Sequence, residues 1–120
     1  MKSKDRQTVF DKFGGRCAYC GDPLAKGWHV DHIEPIVRGI SDSSVCEYPE
    51  RETIENYNPS CASCNIIKSS MSLETFRSNI KMFVESLNKY HTQYKFAKRY
   101  GLVTETNIPV KFYFETFKTQ

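Results

Sequence analysis

The chain has 120 residues, 39% of them apolar, 13% aromatic and 26% charged, a balance that predicts one globular domain over residues 1–120 and excludes a large multidomain enzyme. No apolar run reaches the roughly 20 residues of a membrane span, and the opening Met1-Lys2-Ser3-Lys4-Asp5-Arg6 has no apolar stretch behind its charges, so a cytoplasmic setting is expected. The net charge of +3 hides an asymmetry: residues 1–60 carry eight basic and ten acidic side chains, residues 61–120 nine and four, so the second half is the one suited to a polyanion.

In chain order, Val9, Phe10 and Phe13 fall on one side of a short helical pattern over 4–13, with Ser3 placed to cap it and Gly14-Gly15 to end it. Cys20-Gly21-Asp22-Pro23 predicts a turn, and Trp28-His29-Val30-Asp31-His32-Ile33 a short strand that Pro35 helps to terminate. From Gly39 to Glu55 the sequence predicts loop; Asp42, Glu47, Glu50, Glu52 and Glu55 against Arg51 make it a solvated acidic excursion, unsuited to facing DNA. Asn65-Ile66-Ile67-Lys68 can begin a helical turn. Ser72 then caps an amphipathic helix with Leu73, Phe76, Ile80, Phe83, Val84 and Leu87 at three- and four-residue spacings. Tyr90, Tyr94 and Ala97 continue a similar stripe over 90–100, as a second helix after a break near Asn88, and Gly101 stops it; most of these aromatics are expected in the core. Val110-Lys111-Phe112-Tyr113-Phe114-Glu115, after Pro109, has strand composition.

The five cysteines resolve into two Cys-x-x-Cys pairs, Cys17/Cys20 and Cys61/Cys64, and a singleton, Cys46, read as an incidental thiol. Paired thiols separated by two residues suit one tetrahedral ion better than a secreted disulfide scaffold, and soft thiolates in a closed set suit a structural zinc. Residues 21–60 leave room for a substructure between the knuckles. A redox role for one pair is the competing use, and it predicts a reversible disulfide with no bound zinc.

Inside that frame stand Val30-Asp31-His32-Ile33-Glu34-Pro35-Ile36, then Asn56-Tyr57-Asn58-Pro59-Ser60, then Cys61-Ala62-Ser63-Cys64-Asn65-Ile66-Ile67-Lys68. Taken together, the order CxxC, DHIxP, Asn and CxxCNxxK over about residues 17–68 resembles the HNH endonuclease family, and the Phe-Tyr-Phe-Glu ending looks like its small phage or bacterial members. The resemblance implies an α+β chain with a ββα-metal, treble-clef-like core pinned by zinc, flanked by an N-terminal helix and, over about 72–120, C-terminal helices with a short strand. It implies a site of the His-Asn-Asn type. Asp31 and Asn65 become ligands of a catalytic divalent cation, His32 the general base, and Asn56 the asparagine that braces the loop and the base. The expected activity is hydrolysis of DNA phosphodiesters, leaving 3′-hydroxyl and 5′-phosphate ends, with a homodimer as a route to double-strand cleavage.

These residue types suit that chemistry independently of the family. An ordinary imidazole is partly neutral near neutral pH and can accept a proton from water. A carboxylate and an amide oxygen suit Mg2+ or Mn2+, with Ni2+ or another divalent cation as a substitute. Neighbours in a strand point to opposite faces, so Asp31 and His32 can serve one site only where the strand bends or ends. His29 shares the face of Asp31 and is read, like Glu34, as a surface residue. Lys68, Arg77, Lys81, Lys95, Lys98 and Arg99 form the candidate phosphate-contacting set, with Lys89 nearby. The alternative function is a non-catalytic zinc module binding nucleic acid or protein, which has no need of Asp31, His32 and Asn65 between its knuckles.

Overall fold

A computed structural model describes residues 2–35 and 48–117. Cys46, Ile36 and most of the acidic stretch from Gly39 lie outside the described residues. The described chain forms two compact units, Met1–Leu73 with Lys111–Gln120, and Glu74–Val110.

In the first unit, α1 (Ser3–Asp11) runs to a double-glycine stop. Gly14 and Gly15 both have positive φ, 66° and 78°, and Gly15 N–H returns to Phe10 C=O at 3.1 Å, closing the helix end as the sequence predicts. Ser3 is already helical, and Lys2 occupies the cap position without a side-chain bond, so the expected Ser3 cap is not made. Val9 is fully buried, Phe10 meets Trp28 edge to face, and Phe13 meets Phe117 in the same way.

β1 (His29–His32) and β2 (Tyr57–Ser60) form an antiparallel pair in which His29 faces Ser60, Val30 Pro59, Asp31 Asn58 and His32 Tyr57. β2 leads directly into α2 (Ala62–Lys68), so a two-stranded antiparallel sheet is followed by a helix, consistent with a ββα-metal core. α2 starts three residues before the predicted Asn65 because Cys61 caps it, its sulfur accepting from Cys64 N–H at 3.4 Å.

The predicted strand over 110–115 is not formed. Phe112 is extended, and α5 (Tyr113–Thr116) is a single helical turn whose Glu115 side chain accepts from Phe112 N–H at 2.8 Å. Aromatic density here reflects packing, since Phe112 is buried and lies edge to face with Tyr19 at 5.4 Å between ring centres. Tyr113 and Phe114 donate backbone N–H bonds to Tyr19 C=O and Ala18 C=O at 3.0 and 2.8 Å, tying the chain's end to the first knuckle.

The second unit takes in α3 (Leu73–Tyr90) from Glu74 onward, α4 (Thr92–Arg99) and the segment to Val110. The helix break falls at His91, three residues later than expected, and Gly101, with φ of 74°, ends α4. Glu105 gathers Asn88, Tyr94 and Lys98 at 2.7–3.0 Å. These hydrogen bonds, that of Asn88 first, hold its carboxyl down to about 2. Phe76 is buried, but Phe83, Val84, Tyr90, Phe96 and Tyr100 are exposed, contrary to the expected aromatic core. By itself, a unit of two helices offers little surface to cover such a stripe.

Candidate functional site

The two knuckles converge through β2. Ala18 N–H donates to Pro59 C=O at 2.8 Å, and Cys17 N–H to Asp22 C=O at 2.8 Å across the turn, which sets Cys17 and Cys20 beside the start of α2. The ligand sulfurs of Cys17, Cys20, Cys61 and Cys64 all lie within 4.8 Å of one another. A tetrahedral ion bound to sulfur at about 2.3 Å separates its ligands by about 3.8 Å, and Cys20 Sγ and Cys61 Sγ stand 3.8 Å apart. The set therefore fits a closed zinc site. Its protons are already unevenly shared: a hydrogen bond with Cys64, opposed by burial, pushes the Cys17 thiol down to about 4, and the same contact together with burial pushes Cys64 up. Four neighbouring sulfurs ionise together only with a cation among them.

On β1, Asp31 is buried and its Oδ2 accepts from the Tyr19 hydroxyl and pairs with Lys68 Nζ at 3.1 Å. Burial, then the Asp31 charge, push the Tyr19 phenol above its ordinary value, so it remains a donor. Both of these contacts fall on Oδ2. Across the pair, Asn58 is buried, and its amide has no hydrogen-bond partner among the described residues. Asn65 lies half-buried on α2 and makes no side-chain hydrogen bond among the described residues, so its amide oxygen is available. A carboxylate oxygen and an amide oxygen are a hard donor pair suited to a divalent cation.

His32 is the last residue of β1; Ile33 and Glu34 bend away. Its Nε2 stands 2.5 Å from Glu52 Oε1, its ring lies edge to face with Tyr57 at 5.2 Å, and its carbonyl accepts from Lys68 Nζ at 2.8 Å. Lys68 meets both residues, the carboxylate of Asp31 and the backbone carbonyl of His32.

Asn56 clamps the turn beyond the strand. Its Oδ1 accepts from Glu34 N–H at 3.0 Å, and its Nδ2 donates to Glu34 C=O at 2.9 Å and to Arg51 C=O at 2.8 Å. Replacing it with alanine strands these backbone groups, and Asn56→Ala is expected to lower the urea-unfolding free energy by about 2 kcal/mol. A variant within about 0.5 kcal/mol of wild type would mean that water replaces the clamp without loss.

Of the candidate phosphate contacts, Lys68 is corrected. It is 0% exposed and turned inward onto Asp31 and His32, because an aliphatic stem in the interior needs a buried counter-charge for its ammonium. Arg77 is held by Glu74 at 3.0 Å and by Val110 C=O at 2.7 Å, and Lys98 by Glu105 at 3.0 Å. Lys81 is exposed, Lys95 half-buried, and Arg99 is exposed with its guanidinium 4.9 Å from the Phe96 ring centre. His29 is exposed.

Sequence reasoning passed over three contributors, Tyr19, Glu52 and Lys68 as a partner of Asp31. Tyr19 occupies a variable place in a Cys-x-x-Cys turn, and Glu52 is one acid among several, so neither carries a periodic or spacing signal. Only the 2.5 Å approach of Glu52 to His32 singles it out.

This geometry defines a class: a zinc-knuckle ββα-metal domain with a histidine at the strand end. Residues 17–71 match the family model for HNH endonuclease, and that segment belongs to the HNH endonuclease family. No curated protein and no solved structure matches the chain. Among the described residues, no helix is long and apolar enough to cross a membrane.

Proposed function

We propose that this protein is a divalent-cation-dependent DNA endonuclease that hydrolyses phosphodiester bonds by a one-metal mechanism with His32 as general base. The observation that carries the proposal is the half-exposed imidazole of His32 at the end of β1, next in sequence to the buried carboxylate of Asp31, inside the segment matched to the HNH family. Asp31 and Asn65 would hold Mg2+ or Mn2+, which when bound neutralises charge developing on the phosphate and the leaving oxygen. His32 takes a proton from water. The water oxygen forms a bond to phosphorus, the P–O3′ bond breaks, and the departing 3′ oxygen is protonated from solvent, leaving 3′-hydroxyl and 5′-phosphate ends. Asn56 keeps the backbone beyond His32 in place, while Lys81, Lys95 and Arg99 offer phosphate contacts that carry no sequence information. One such site cuts one strand, so a double-strand break requires a homodimer or two binding events.

The test is nicking of supercoiled plasmid by zinc-loaded protein with Mg2+, Mn2+ or Ni2+ and with EDTA. Cation-dependent cutting is expected, and His32→Ala is expected to slow it about 100- to 10,000-fold with zinc content and fold retained. Equal cutting by His32→Ala overturns the assignment of the base. DNA binding without cutting under any cation favours a non-catalytic zinc module.

A further inference from the structure

Beside the proposed base stands a carboxylate that the mechanism has not used. Glu52 follows a short 3₁₀ turn, Pro49–Arg51, and lies 20 residues from His32 in sequence. Among its contacts, Oε1 meets His32 Nε2 at 2.5 Å, and Oε2 accepts from the Tyr57 hydroxyl at 3.0 Å. Tyr57 is paired with His32 across the sheet and also stacks its ring edge on the imidazole. Imidazole, phenol and carboxylate thus close a small ring of contacts, each fixing the next. Burial, followed by the hydrogen bond to Glu52, pushes the Tyr57 phenol upward, so it stays protonated and keeps donating.

We propose that Glu52 is a positioning residue for the base: by accepting from Nε2–H it holds the neutral imidazole of His32 in one tautomer and leaves the lone pair on Nδ1 to receive the water proton. The inference rests on the assignment of His32 as general base. A neutral imidazole has one N–H and one lone pair, and an ionised carboxylate can only accept, so its approach to Nε2 selects the tautomer. A carboxylate on the far nitrogen also stabilises the imidazolium formed once the proton is taken. One residue of the acidic stretch, Glu52, thereby contributes to the site. The side chains of His32 and Glu52 are 25% and 41% exposed, so the pair is open enough for water to reach the ring and closed enough to restrict rotation.

The experiment combines nitrogen-15 spectroscopy of the His32 ring with nicking kinetics on zinc-loaded full-length protein. With the pH raised until the ring is neutral, wild type is expected to show the Nε2–H form and Glu52→Ala a mixture of tautomers. Glu52→Gln, whose amide oxygen still accepts from Nε2–H, is expected to keep the Nε2–H form, which separates loss of the bond from loss of fold. Glu52→Ala should lower the cutting rate at saturating DNA about 10- to 100-fold, with DNA affinity unchanged. In a His32→Ala background the same substitution should cost nothing further, since a positioning residue acts only through its partner. An Nδ1–H form in wild type, an unchanged tautomer in Glu52→Ala, or an equal loss in both backgrounds overturns the proposal. Equal cutting by wild type and His32→Ala overturns the base assignment itself, and the tautomer spectra then report separately whether the Glu52 contact exists.

Discussion

Withdrawing metal from the four-cysteine site is expected to unfold the first unit. Structural zinc contributes about 10–16 kcal/mol in small domains, against the 5–15 kcal/mol net stability typical of whole proteins. Here the ion would hold together segments that contact one another sparingly. The sheet has two strands of four residues each, and among the described residues the buried apolar set around it is small, comprising Val9, Cys17, Ala18, Tyr19, Tyr57, Pro59 and Phe112. Cys17 and Cys20 come from a turn and Cys61 and Cys64 from a helix start, so without the ion the first knuckle is held to β2 and the second knuckle by the Ala18–Pro59 backbone bond and by contacts between thiols. Thermal unfolding followed by circular dichroism, before and after a strong chelator, should show loss of the cooperative transition and its return on adding zinc. Metal analysis should find one zinc per chain. A transition indifferent to the chelator, with no zinc bound, would mean that the pairs serve as thiols, and the redox use would then lead.

Lys68→Met is expected to be the most damaging single substitution outside the cysteines, at about 3–5 kcal/mol. Methionine fills much the same volume, so the loss is electrostatic. Lys68 and Asp31 have side chains 1% and 6% exposed, and removing the ammonium leaves a carboxylate in the interior with the Tyr19 hydroxyl as its remaining donor. The His32 carbonyl loses its 2.8 Å bond at the same time. A double-mutant cycle isolates the pair: Asp31→Asn with Lys68→Met should recover much of the loss, because two neutral partners of similar shape leave no stranded charge. Urea unfolding of the zinc-loaded proteins supplies the four free energies. Additive effects would show that the two groups do not meet in the interior.

The parts of this protein that were legible in the sequence are those governed by local geometry. Two residues between cysteines place both thiols on one short turn, a double glycine ends a helix because both positions adopt positive φ, and a 3.6-residue period marks α3 through its own spacing. Asp31, His32, Asn56 and Asn65 stood out because they hold fixed places in that frame, and the family match over residues 17–71 covers them all. What the tertiary structure decided are contacts between residues far apart in the chain, on which periodicity is silent. Lys68 reaches His32 across 36 positions and turns inward, so a residue that reads as a phosphate contact is instead a buried counter-charge. Glu52 is indistinguishable from its acidic neighbours until the fold sets it against His32. The aromatic run at 112–114 reads as a strand from composition, yet the two N–H groups that would build a ladder go to the carbonyls of Tyr19 and Ala18, and the chain closes into a helical turn over the first knuckle. Apolar stripes on α3 and α4 predict burial, but burial needs a covering partner, and a unit of two helices leaves part of each stripe exposed.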